Sequence, residues 1–206
     1  MDEFEQTFFA TFFLFLFSML ITPSVHAFTS PVGFSLLTIE RDVYLEFPGP
    51  RDNVCGLRLN LLRSMNDGVC GLDLGVGLNV ADRLIGIQIA GIGNTDARAR
   101  IFGLQFGGLF NTDGEAYIVG LQFSILRNGI LSSATLAGIQ VSLFNDAYRT
   151  DVYGFQLSLI NRARKVVGLQ VGLFNSAEEL YGVQLGLINL NQKGPFKFFP
   201  VINVGM

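Results

Sequence analysis

Apolar and polar residues alternate along most of this chain, and the alternation recurs in units. In Gly154-Phe155-Gln156-Leu157-Ser158-Leu159 one face is Phe, Leu, Leu and the other is Gly, Gln, Ser. Strict period-2 alternation predicts strands. Two glycines in each unit would also weaken a helix by about 1 kcal/mol each. The fullest unit is Leu180-Tyr181-Gly182-Val183-Gln184-Leu185-Gly186-Leu187-Ile188-Asn189, and its core, G-[LIVF]-Q-x-[GS]-L-x-N, returns with variations back to about residue 56. The opening glycines are Gly56, Gly71, Gly86, Gly103, Gly120, Gly138, Gly154, Gly168 and Gly182, at spacings of 15, 15, 17, 17, 18, 16, 14 and 14 residues. A repeat of this length decides the architecture before any single motif does. Twelve strands are predicted, the first two less regular, within Phe28–Phe47 and ahead of the break at Pro48-Gly49-Pro50. The polar segments at 112–115, 146–150, 162–165 and 176–179 read as connections of variable length.

Two all-β architectures fit such a unit. One is an up-and-down antiparallel meander; the other is a parallel β-solenoid of 14–18-residue repeats. The meander accounts for two features. The unit is nearly palindromic about its glutamine, so antiparallel neighbours can set Gln opposite Gln and Gly opposite Gly. Segment charge also alternates: those after Asn79, Asn111, Asn145 and Asn175 sum to −5, and those around Asn94, Asn128, Asn161 and Asn189 to +7. A meander would send these two sets to opposite ends.

A twelve-stranded meander is expected to close into a barrel, because closure removes both edges. Nine residues at about 3.3 Å each, tilted, cover just over 20 Å, near the apolar band of an outer-membrane barrel. The Leu/Val/Phe face would then meet lipid. Glu46, Arg58, Asp73, Gln88, Gln105, Gln122, Gln140, Gln156, Gln170 and Gln184 would face the lumen, where the glutamines either line a pore or hydrogen-bond one another. Arg58 and Asp73, at the glutamine position of adjacent units, would form a constriction or a structural ion pair. The basic segments would face outward, with anionic lipid headgroups as partner.

Targeting and composition add to this picture. Phe8–Ile21 is an apolar run of 14 residues followed by Val25-His26-Ala27, which predicts a signal peptide over 1–27 and one repeat-built domain over 28–206. Cleavage would remove the only histidine, His26, and three of 17 acidic residues, leaving 14 acids against 14 bases. A chain without histidine lacks the commonest general base and metal ligand. A neutral balance gives no electrostatic reason to bind nucleic acid. Gly75-Val76-Gly77 and Gly91-Ile92-Gly93 open no helix, so a phosphate loop is not expected. No nucleophile or metal cluster stands out, and neither enzyme chemistry nor a cofactor is predicted. Cys55 and Cys70 hold equivalent positions in consecutive units. Stacked in register they would be neighbours; in an antiparallel pair centred on Arg58 and Asp73 they would lie too far apart to bridge. A bond between them would therefore count against the meander.

The units at Cys55–Leu61, Gly71–Gly75 and the seven glutamine repeats resemble a sparsely characterised bacterial family of surface-repeat proteins with tandem G-L-Q-x-G-L-x-N units. The resemblance implies a bacterial envelope protein, in the outer membrane or at the cell surface, without enzyme activity.

Overall fold

A computed structural model describes residues 28–206, the side chains at 97–99 excepted. The predicted signal segment, 1–27, lies outside the described residues. The strands are β1 (Thr29–Glu40), β2 (Val43–Phe47), β3 (Asn53–Gly75), β4 (Leu78–Ala90), β5 (Gly93–Gly107), β6 (Phe110–Ser124), β7 (Arg127–Ile130), β8 (Ala134–Val141), β9 (Phe144–Leu157), β10 (Ile160–Val171), β11 (Phe174–Asn191) and β12 (Phe198–Gly205). The fold is all-β, and it is a parallel β-solenoid of about eight turns.

The antiparallel meander and its barrel are overturned. From β3 to β11 every pairing is parallel, and the pairing order runs from β12 to β2 without joining its ends. Register follows the repeat residue by residue: Gly168 pairs Gly182 and Gln170 pairs Gln184 on one side, Gly154 and Gln156 on the other. Parallel stacking sets like on like whatever the symmetry of the unit, so the near-palindrome carried no information about direction.

The turns also lie elsewhere than predicted. The polar segments at 112–115, 146–150, 162–165 and 176–179 run inside β6, β9, β10 and β11, paired along their length. The chain breaks instead at short apolar corners such as Gly91-Ile92, Ile125-Leu126, Leu159 and Gly172-Leu173. A corner in this stack keeps its backbone bonded to the next coil, as in Leu173 N–H to Leu159 O (3.0 Å), so it needs no polar side chains.

The repeat glycines explain themselves here. All nine have positive φ, from 117° to 150°, a region that glycine alone enters readily. A Cβ on Gly182 would overlap the carbonyl oxygen of Gly168 in the coil beneath. Each end of the stack carries an antiparallel strand, β2 against β1 and β12 against β11, where a further parallel coil would otherwise add.

The coil interior holds one apolar column, Leu84, Ile101, Ile118, Leu136, Val152, Val166 and Leu180, with small residues such as Ala81, Ala147, Ala163 and Ala177 beside it. The remaining interior columns are polar.

Candidate functional site: two amide ladders, a buried charge cluster and an apolar outer face

Glutamine follows seven of the nine repeat glycines, Gly86 to Gly182, by two residues, and in-register stacking makes that position a column. Gln88, Gln105, Gln122, Gln140, Gln156, Gln170 and Gln184 are all buried in the coil interior. Each Nε2 donates to the Oε1 of the preceding glutamine at 2.7–3.0 Å. Gln88 Nε2 ends the run on Asp73 Oδ2 (3.0 Å), and Asn203 Nδ2 of β12 caps the other end on Gln184 Oε1 (3.3 Å). Along the column each amide thus donates down the stack, toward the Asp73 carboxylate at its end. These residues face inward, but there is no lumen: the column is packed and its amides serve one another.

A second ladder runs the other way. Asn94, Asn111, Asn128, Asn145 and Asn161 each donate Nδ2 to the Oδ1 of the following asparagine at 2.8–3.1 Å, and Asn175 reaches Asn189 likewise. The column breaks between Asn79 and Asn94, where Asn79 Nδ2 turns to Ile89 O (2.9 Å). The glutamine column was singled out in the sequence. The asparagine column was visible too, seven or eight residues after each glycine from Gly71 on, yet read as the start of loops.

Asp73 anchors a buried charge cluster. Arg58 Nε and Nη2 reach its two carboxylate oxygens at 2.8 and 2.6 Å, both side chains being 0% exposed. Arg58 Nη1 completes its bonding on Asn66 Oδ1 (2.8 Å) and Val80 O (3.1 Å). Glu46, from the capping strand β2, accepts from the Thr38 hydroxyl and from Met65 N–H (3.0 Å). Burial pushes its carboxyl up to about 7, against the pull of the Thr38 hydroxyl and Arg58. The pair is a structural ion pair that closes the ladder, with every guanidinium nitrogen of Arg58 bonded.

Two further carboxyls that sequence reasoning left among the connections lie in the interior. Asp96 and Asp113 are register partners in β5 and β6, both buried. Burial raises Asp113 to about 7, although Gln122 Nε2 donates to it at 2.6 Å. Burial and Asp113 together raise Asp96 well above the usual carboxylate range, opposed by the Ala81 N–H that it accepts. Two adjacent buried carboxyls cannot both ionise cheaply, so the pair holds at least one proton near neutrality. Among the described residues, no group of three or more His, Cys, Asp or Glu side chains is placed to hold a metal ion.

The outside divides by chemistry. The predicted sorting of acidic and basic segments to opposite ends is overturned: both sets stack along one edge of the solenoid, coil upon coil. Lys165 has Asp151 as register partner below and Glu179 above. Arg127 pairs with Asp146 at 2.9 Å, Arg164 with Asp151, and Lys193 with Glu179 at 2.7 Å. Opposite charges one coil apart attract, which favours alternation along the edge, although Arg83 and Arg100 are register partners too. Acidic and basic segments thus share this edge and meet in ion pairs at several coils.

The other outer surface carries no charge. In each coil from Gly71 to Gly182 three residues point away from the interior, one before and one and three after the glycine. They run from Cys70, Leu72 and Leu74 to Tyr181, Val183 and Leu185 without a charged residue. Many stay exposed, among them Ile85, Ile89, Phe102, Phe123, Ile139 and Leu157. The same face was expected to meet lipid on a barrel; here it is one side of a solid stack.

Cys55 and Cys70 are bonded across the first coils, with Cα atoms 4.5 Å apart. Comparison with family models, curated proteins and solved structures finds no match to this chain.

Proposed function

We propose that this chain is a surface-attached or secreted β-solenoid that acts as an interaction module of a bacterial envelope, without enzyme chemistry. The observation that carries this reading is the outer face just described: about eight coils of charge-free apolar side chains on a rigid, end-capped scaffold. Lone soluble proteins rarely expose a contiguous apolar patch beyond a few hundred Å², and larger ones mark interaction sites. The interior supports the same reading, since its glutamine and asparagine columns bond chiefly to one another and serve the stack. The apolar run at 8–21 supports export, and no helix among the described residues is long and apolar enough to cross a membrane, which says nothing of strands.

Labelling of intact cells with a membrane-impermeant amine reagent tests display. Lys193 and Lys197 are exposed at one end of the stack and should be modified without lysis, or in the medium if the chain is released. A chain labelled only after lysis, and absent from the medium, sinks the surface reading.

A further inference from the structure

We propose that the charge-free outer face is the interface on which a second copy of this chain packs, sheet against sheet. The inference rests on reading the protein as an interaction module and names its partner.

The first support is shape. Pairing through this face is continuous in register from Gly71 to Gly182, with no bulge among the outward positions. The surface is therefore flat and ridged at the roughly 4.8 Å strand spacing. Another surface with the same period can seat its ridges in these grooves, and a second copy has that period by construction. Two such sheets pack about 10 Å apart, as in a β-sandwich. A two-fold contact lets each apolar column meet an equivalent one, with no charge to match or to bury.

Area is the second support. Eight coils at about 4.8 Å give a length of about 38 Å, and five residues at about 3.3 Å give a width of about 16 Å. The footprint is about 600 Å² per copy, or about 1,200 Å² from both, which reaches the lower bound for a specific stable interface. The apolar corner column beside it, including Leu159 and Leu173, extends the patch. Charge favours a protein over a membrane. The edge flanking the face carries acids among its bases, with ion pairs at Arg164–Asp151 and Lys193–Glu179, so it is mixed in sign rather than a cationic rim for headgroups.

Sedimentation velocity on the full chain as it is isolated, over a concentration series without detergent, tests this. The expected result is a dimer that the double variant Ile89→Lys, Ile139→Lys converts to monomer, with β-sheet circular dichroism unchanged. Ile89 and Ile139 are exposed outward positions three coils apart and in different columns, so the two lysines do not face each other. Should the double variant fail to fold, a nitroxide at Ile139→Cys in the otherwise native chain reads the same contact. A short inter-copy distance, set by the about 10 Å sheet separation, supports the interface. A broad or absent one overturns it. A native chain that stays monomeric at all concentrations overturns the proposal. If that monomer floats with phosphatidylcholine vesicles, the occupant is lipid and the interaction-module reading survives; if it binds neither itself nor vesicles, both readings lose their support. A dimer untouched by the double variant and showing no short distance at Ile139 places the interface elsewhere and also overturns the proposal.

Discussion

Cys55 and Cys70 stand one directly above the other in the first two full coils, bonded, with Cα atoms 4.5 Å apart. Neither has to move to make the bond, because parallel in-register stacking already puts equivalent positions of neighbouring coils about 4.8 Å apart. The disulfide is a covalent rung at the end of the stack that also holds the Arg58–Asp73 pair. It closes a loop of 15 residues, for which chain entropy predicts about 3 kcal/mol of stabilisation. Reduction, or Cys55→Ser with Cys70→Ser, should lower stability by up to that amount in a denaturant titration. Hydrogen exchange should show the loss first in β1–β3, with the coils beyond β6 protected as before.

Gly182 is one of the nine repeat glycines with positive φ, at 146°. Gly182→Ala adds a methyl that meets the backbone of Gly168 and imposes a conformation that alanine resists. A loss of about 2–4 kcal/mol is expected from strain and the displaced coil. Leu187→Ala, at an exposed position five residues further along the same strand, should cost far less, and paired thermal melts compare the two directly.

Glu46, Asp96 and Asp113 make stability depend on pH in an unusual direction. Their folded-state values are raised, to about 7 for Glu46 and Asp113, while the unfolded chain releases these protons near pH 4. The folded state therefore holds more protons between about pH 4 and 7, and stability falls as pH rises through that window. At the acid end Glu179, held below its usual value by Lys193, loses its pairing as it protonates. Thermal midpoints should be highest near about pH 4 and drop by several degrees toward pH 8. Asp113→Asn should flatten the slope and raise stability at pH 8, because the new amide can donate to Asp96. A midpoint that climbs from pH 5 to pH 8 would contradict the buried-carboxyl picture.

Lys165 lies between Asp151 and Glu179 in successive coils, with its amine 4.8 Å from the Tyr181 ring centroid. Lys165→Glu puts three acidic residues in one column and removes the cation over the ring. The variant should melt below the native protein at low ionic strength, and added salt should narrow the gap, since screening weakens repulsion between exposed charges. Lys165→Gln should fall between the two.

The repeat period, the all-strand content, the inward column of Gln88 to Gln184 and the outward column of Leu72 to Leu185 were all legible from residue order, because alternation and glycine spacing are local properties. That Arg58 and Asp73 meet followed from their equivalent places in adjacent units. Strand direction was not legible, since a near-palindromic unit puts Gln beside Gln whether its neighbour runs up or down. The charge alternation, read as two ends of a barrel, is the pairing rule of one stacked edge; at a distance of one coil, opposite signs attract. Segments such as Ser176–Glu179 read as loops because their side chains are polar, but in a stack any segment whose backbone bonds to its neighbour is a strand. What the sequence by itself determined is the unit and its two faces. What only the tertiary structure decided is how units meet, because hydrogen bonding between coils is a relation between distant residues and leaves no mark on the order within one.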